Sequence, residues 1–299
     1  MSLPRPIYPG SFYLLSRRCV QRMFLLRPDA VTNNNLAYCL IEAAQRFGIV
    51  VILPLAMSNH QHTVLYDPWG NIVAFMERFH GMFARVQNAR LGRWENLWAA
   101  EPPSLVRLEG RDEVLDKLVY VATNPVAAGL VERSHQWPGV NGLPALLAGR
   151  AMVARRPEHF FGPDSALPEV VSLEPTIPPE LGDAAAVKRE LRERVRAAED
   201  RLARERAAAG VPVMGVRAVL AQAFTDSPRS HEPRRVLSPR VAARNVWLRI
   251  EALRRNRVFL DAYRAARALW LAGLDVVFPA GTYWLHRFAG VPVAPLVKS

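Results

Sequence analysis

The segment 49–66 constrains this chain most. Ile49–Met57 is a dense apolar run of strand length, Ser58-Asn59 is a turn signal, and His60–Tyr66 resumes as the alternating HQHTVLY. Two such runs about a two-residue turn predict a hairpin, so the central strands are antiparallel neighbours. Upstream, the aromatic-rich Ser11–Arg18 (SFYLLSRR) predicts a strand, and Thr32 or one of Asn33–Asn35 is expected to cap a helix that runs to Phe47 and stops at Gly48. Downstream, Asn71 opens an amphipathic helix: Ile72, Phe75, Met76, Phe79, Met82, Phe83 and Val86 recur at the helical period, with Arg78 and Arg85 opposite. After the break at Glu101-Pro102-Pro103, Ser104–Leu108 reads as a short strand. Asp112 is expected to cap a helix through Val121 that ends near Asn124-Pro125, since the residue before proline resists the helical conformation. This order predicts an α+β fold, an antiparallel sheet with helices on one face, rather than a doubly wound one.

The character of the chain changes near residue 150. Pro157–Pro179, rich in Pro and acidic groups, reads as a linker or surface crossing; the linker is set at residues 151–182, and 183–299 reads as a basic, mainly helical extension. Within the extension, Ala184–Ala209 is Ala/Arg/Glu-rich with a thin stripe of Val187, Leu191, Val195 and Leu202, and is expected to be a solvated helix packed along one edge. Val241–Leu271 carries a fuller apolar face of Val246, Trp247, Ile250, Leu253, Leu260 and Tyr263.

Composition excludes several classes. Half of the 299 residues are apolar, which is ample for a core, yet no stretch nears the roughly 18 uncharged residues of a membrane helix. Met1–Gly10 lacks an apolar signal-peptide core, so a cytoplasmic protein is expected. Cys19 and Cys39 make neither a disulfide framework nor a metal cluster. The formal charge is +12, and only Lys117, Lys188 and Lys298 of the 39 basic residues are lysines. Arginine pairs with phosphate through two parallel hydrogen bonds, so this balance suits a nucleic-acid partner; GC-rich coding also favours arginine over lysine.

Two local features carry chemistry. On a strand, His60 and His62 face the same side and can share one divalent ion, or they can form a polar strand edge. On a helix, Tyr120 and Asn124 share a face and place a phenol and a carboxamide in the same space; equally, Tyr120 reads as a core aromatic and Asn124 as a helix terminator.

Ala56-Met57-Ser58-Asn59-His60-Gln61-His62 resembles the Met-Pro-Asn-His-x-His block of the HUH single-tyrosine transposases, and within them the REP-associated tyrosine transposases. Sixty residues after His60, the stretch Tyr120-Val-Ala-Thr-Asn124-Pro125-Val-Ala-Ala128-Gly129-Leu130-Val131 is similar to that family's Tyr-Ile-x-x-Asn-Pro-x-x-Ala-Gly-Leu-Val block. Between them, Gly92–Trp98 is loosely similar to a Gly-x-x-Trp segment, and His135-Gln136-Trp137-Pro138 resembles the family's Trp-Pro ending. The resemblance spans residues 8–145 and not the C-terminal half. Ser58 stands where the family has Pro, Ala99-Ala100-Glu101 where it has Gln-x-Arg, and Ala127 where it commonly has Arg.

The resemblance implies a ferredoxin-like catalytic domain that cuts and rejoins single-stranded DNA at hairpin-forming sequences. It makes Tyr120 the nucleophile, His60 and His62 metal ligands, and Asn124 a third ligand or an orienting group. Mg²⁺ or Mn²⁺ suits mixed N/O ligation next to phosphate. A covalent phosphotyrosine conserves the phosphodiester energy, so no nucleotide cofactor is expected. The DNA-contact candidates are Arg78, Arg85, Arg90 and Arg93, with Trp94 and Trp98 either stacking on bases or packing in the core. Ser227–Arg257 is the densest basic segment, and Arg234, Arg235, Arg240 and Arg244 within it are candidates for a hairpin stem, or else part of a solvated face. A homodimer is left open. The competing reading is a non-catalytic nucleic-acid-binding protein on the same fold. An unrelated His-x-His phosphoesterase lacks the second His-x-His or acidic cluster it needs.

Overall fold

The computed structural model describes residues 4–230 and 239–296. Strand β1 (Ser11–Arg18) leads to α1 (Ala30–Phe47), the hairpin β2 (Val50–Ala56) and β3 (His60–Asp67), α2 (Ile72–Leu91), β4 (Ser104–Leu108) and α3 (Arg111–Ala127). The sheet order is β2-β3-β1-β4, antiparallel throughout, with a short β7 (Val241–Ala242) added parallel to β4. This is the ferredoxin-like α+β arrangement.

Alternation along each strand sorts two cores. Tyr13, Leu15, Val51, Leu65 and Leu105 face α1 and α2, whose Leu36, Leu40, Phe75, Phe79 and Phe83 complete the first core. Leu14, Leu53, Val64, Val106 and Leu108 face the other way, onto Val114, Leu115, Leu118 and Val121 of α3. Helices on a single face therefore describe α1 and α2 alone: α3 crosses the opposite face, because its apolar stripe finds the second row of alternating strand residues there.

Three local expectations change. Asp29, not Thr32 or Asn33–Asn35, caps α1, its carboxylate accepting from the Thr32 N–H at 2.8 Å. Thr32 and Asn35 are instead buried against α2, where Asn35 donates to Gln87 at 3.1 Å. Helix α3 is preceded by Gly110, not Asp112, at its cap and runs through Pro125 to Ala127. A proline in the final turns forfeits one backbone hydrogen bond rather than a series of them, so Tyr120 and Asn124 stay on one helix.

Residues 151–182 are not a free linker. They include the two-stranded sheet β5 (Met152–Arg155) and β6 (Val170–Leu173), which packs on α1. Ala154 and Val171 join the first core, and Ile177 and Leu181 the second. These apolar anchors between the prolines supply the burial that a spacer lacks. Short α4 (Leu143–Ala148) precedes this segment. Helix α5 (Ala184–Ala208) then lies along α3, burying Val187, Leu191 and Val195. The two helices are tied by Arg111–Glu190 at 2.6 Å and Arg194–Asp116 at 3.0 Å. After α6 (Val216–Ala221), α7 (Val246–Leu271) buries Ala252, Asn256, Phe259 and Ala266, while Val246, Trp247, Ile250 and Leu253 are exposed. The predicted apolar face of this helix thus splits: its N-terminal residues turn outward, whereas Tyr263 packs between Phe259 and Phe278, which precedes α8 (Trp284–Ala289). No described helix is long and apolar enough to cross a membrane.

Candidate active site

In the register of the antiparallel pair, His60 lies opposite Arg18 and His62 opposite Ser16. Directly opposed residues share a face, and this one is the face of Val64, covered by α3. The two imidazole centroids are 4.8 Å apart, and the Tyr120 ring lies 5.5 Å from His62 at 68°. His62 is buried, while Tyr120 is 48% exposed, so its hydroxyl is reachable from solvent. Asn124 is half-buried one turn beyond Tyr120.

The outer nitrogens of the rings are held from behind. Asn59 Nδ2 donates to the Arg22 carbonyl at 3.2 Å, which turns its Oδ1 toward His60 Nδ1 at 2.7 Å. An amide oxygen only accepts, so the neutral form of the His60 ring has its proton on Nδ1 and its lone pair on Nε2. His62 Nδ1 is 2.6 Å from Ser16 Oγ. Burial first, then His60 and Arg18, hold the His62 imidazole well below its ordinary range, so it is neutral at pH 7. Neutral imidazoles with oriented Nδ1 atoms are what a divalent ion requires. Among the described residues no group of three or more His, Cys, Asp or Glu side chains is placed to hold a metal. The side chains here that could share an ion are the two imidazoles, with the carboxamide of Asn124 on the helix that carries Tyr120. Between the histidines, Gln61 turns to the other face, where Thr63 donates to its Oε1 at 2.9 Å and its amide meets His80 of α2 at 3.3 Å. That contact anchors the strand from behind.

Asn59 and Ser16 were not singled out by the sequence. The position of Asn59 beside His60 was a visible signal; Ser16 lies 46 residues from His62 and only strand register finds it. Replacing either by Ala is expected to weaken Mn²⁺ binding about 10- to 100-fold, the usual effect of losing a group that orients a ligand. Calorimetric titration would measure it, and unchanged affinity in both variants would mean that the rings are oriented without them.

The expected DNA contacts divide. Helix α2 lies across the sheet from the histidines. Arg78 is held by both oxygens of Glu42 at 2.7 and 3.0 Å, and Arg90 by Asp29 at 2.8 Å together with Thr32. Those guanidinium groups serve the fold. Arg85 is exposed and Arg93 half-buried. Trp94 is 92% exposed, but Trp98 is 5% exposed, donates to the His80 carbonyl at 3.0 Å and packs on Phe83. Trp98 is core, not a stacking platform, because its indole N–H finds a buried carbonyl. Trp98→Ala should cost about 3–5 kcal/mol by thermal or urea unfolding, whereas Trp94→Ala should be nearly neutral. Arg240 donates to the Pro4 carbonyl at 2.8 Å, and Arg244 is 3.8 Å from Asp116. Arg234 and Arg235 lie outside the described residues. Cys19 and Cys39 are buried free thiols, pushed up by that burial.

The fold is similar to a solved structure of the REP-associated tyrosine transposase bound to a REP hairpin, at 16% sequence identity and a TM-score of 0.41, over 56% of this chain and 96% of that one. It is also similar to the crystal structure of a candidate transposase from Deinococcus radiodurans, at 18% identity and a TM-score of 0.29, over 39% of this chain and 93% of that one. No family model matches the sequence, and no curated protein does.

Proposed function

We propose that this protein is a metal-dependent, single-tyrosine DNA strand transferase that cuts and rejoins single-stranded DNA beside hairpin-forming sequences through a 5′-phosphotyrosine. The observation that carries the reading is the approach of the half-exposed Tyr120 ring to within 5.5 Å of His62, itself 4.8 Å from His60. A tyrosine on a separate helix meets a preorganised imidazole pair within one chain.

His60 and His62 would hold a Mg²⁺ or Mn²⁺ ion, with Asn124 as third ligand. When bound, such an ion neutralises phosphate charge and aligns the ester for in-line attack. Tyr120 Oη attacks phosphorus and forms the O–P bond; the bond from phosphorus to the 3′ oxygen breaks, and that oxygen takes up a proton as Tyr120 gives one up. Rejoining runs the same step backwards, with a 3′ hydroxyl displacing the phenol. A phenol of pKa about 10 leaves more readily than an alcohol, which keeps the reaction reversible. Asn59 and Ser16 keep the rings aligned throughout. The test is cleavage of 5′- and 3′-labelled hairpin oligonucleotides with Mg²⁺ or Mn²⁺. A covalent protein–DNA adduct on the 5′ side is expected. Binding without cleavage or adduct, across several hairpins and both metals, would replace this reading with a non-catalytic nucleic-acid-binding one.

A further inference from the structure

Helix α7 carries six arginines: Arg249, Arg254, Arg255, Arg257, Arg264 and Arg267. Arg254 pairs with Glu251, Arg255 with Glu109 and Arg264 with Asp261. Among the described residues, Arg249, Arg257 and Arg267 make no ion pair. At about 100° per residue, Arg249 and Arg267 fall on one line along the helix, and Arg257 and Arg264 within about 80° of it. The four make a stripe about 27 Å long at 1.5 Å per residue. It borders a groove of about 510 Å³ lined by Pro239, Arg240, Asn256, Arg257 and Arg264, with Asp261 its one carboxylate. A small cavity of about 20 Å³ behind the groove shares Arg240 and Asn256 and adds Arg5 and Arg107. Arg107 is only 7% exposed; its Nε pairs with Glu109 at 2.6 Å, and its Nη2 has no hydrogen-bond partner. Among the described residues, Arg249, Arg257 and Arg267 are thus left without a carboxylate partner, and Asp261, the carboxylate of the groove, is already paired with Arg264.

We propose that this stripe and groove bind the phosphate backbone of double-stranded DNA, the stem next to the cleaved single strand. The proposal rests on the reading above in taking DNA as the substrate, and adds a second contact surface and the form of DNA it takes. The residues between the arginines on this face are Leu253, Asn256 and Leu260. Single-strand sites stack bases on aromatic rings, and here the aromatics of the helix are turned elsewhere: Tyr263 and Trp270 pack on Phe278, Phe259 packs on Tyr263, and Trp247 lies about 160° around the helix from Arg249. A straight row of cations without rings matches a regular backbone. The stripe lies at the β7 edge of the sheet, three strand spacings from β3, or about 14 Å. A stem and the strand at Tyr120 are thus held by different parts of the chain.

The test compares wild-type protein with the triple variant Arg249→Gln/Arg257→Gln/Arg267→Gln. An equal-charge control carries Arg189→Gln/Arg192→Gln/Arg196→Gln on the exposed side of α5. Affinity for a blunt DNA duplex and for a single strand of the same length is measured across salt concentrations. Each phosphate contact contributes about 0.9 to the slope of log K against log salt on duplex DNA. The α7 triple should flatten the duplex slope by two to three units, or about 100-fold in affinity near 0.1 M salt, with little change on the single strand. The α5 triple should leave the duplex slope within one unit. An unchanged slope, an equal loss in both triples, an equal loss on single-stranded DNA, or no duplex binding by wild type would each overturn the proposal. Adduct formation at Tyr120 is scored separately on the same proteins, so a missing adduct would sink the strand-transfer reading while duplex binding is still read.

Discussion

Tyr120→Phe is expected to abolish strand cleavage and the covalent adduct while leaving the fold intact. Removing a covalent nucleophile costs on the order of 10³–10⁶ in rate. The substitution removes one oxygen from a half-exposed ring, so unfolding free energy should change by less than about 1 kcal/mol. Three of the other tyrosines are committed elsewhere. Tyr13 is buried on the far face of the sheet; Tyr38 donates to the Pro168 carbonyl at 2.6 Å; Tyr66 donates to Glu180 at 2.6 Å from a position four residues along β3. Labelled hairpin DNA, with wild type beside the variant, gives the measurement. An adduct retained by Tyr120→Phe would move the nucleophile elsewhere and reduce Tyr120 to a packing residue.

His60→Ala and His62→Ala should each lower metal-dependent cleavage by at least about 100-fold, the scale expected when a ligand of a catalytic ion is removed. Hairpin affinity should stay within about threefold, because the imidazoles act on the scissile phosphate and add little contact area. The two variants should differ in stability. His62 is buried against Ser16, so its loss leaves a small void and an unmatched hydroxyl at about 1–3 kcal/mol; His60, less buried, should cost less. Parallel measurement of cleavage, Mn²⁺ affinity and DNA affinity separates the roles. Equal losses of binding and cleavage would make the histidines structural.

The parts of this protein that depend on neighbours along the chain were legible in its sequence. Ser11–Arg18 and Ser104–Leu108 form strands with the expected bounds, Asn71 opens a helix, and Gly48 closes one. Apolar periods of two and 3.6 and the left-handed freedom of glycine act over a few residues and leave their mark there. His60 with His62, and Tyr120 with Asn124, were visible for the same reason: each pair is set by one strand or one helix. That Tyr120 and the histidines share one site was what the family resemblance implied, and the burial of α3 against the face of Val64 brings the Tyr120 ring beside His62. Contacts between residues far apart in the chain decided the rest. Arg78 reads as a free cation until Glu42, 36 residues away, takes both its hydrogen bonds. Trp94 and Trp98 read alike until a buried carbonyl claims one indole. The segment 151–182 has the composition of a spacer, yet Val171 and Leu181 seat it in two cores. Such outcomes turn on which partner is within hydrogen-bond or van der Waals reach, a property of the packed chain and not of any local window.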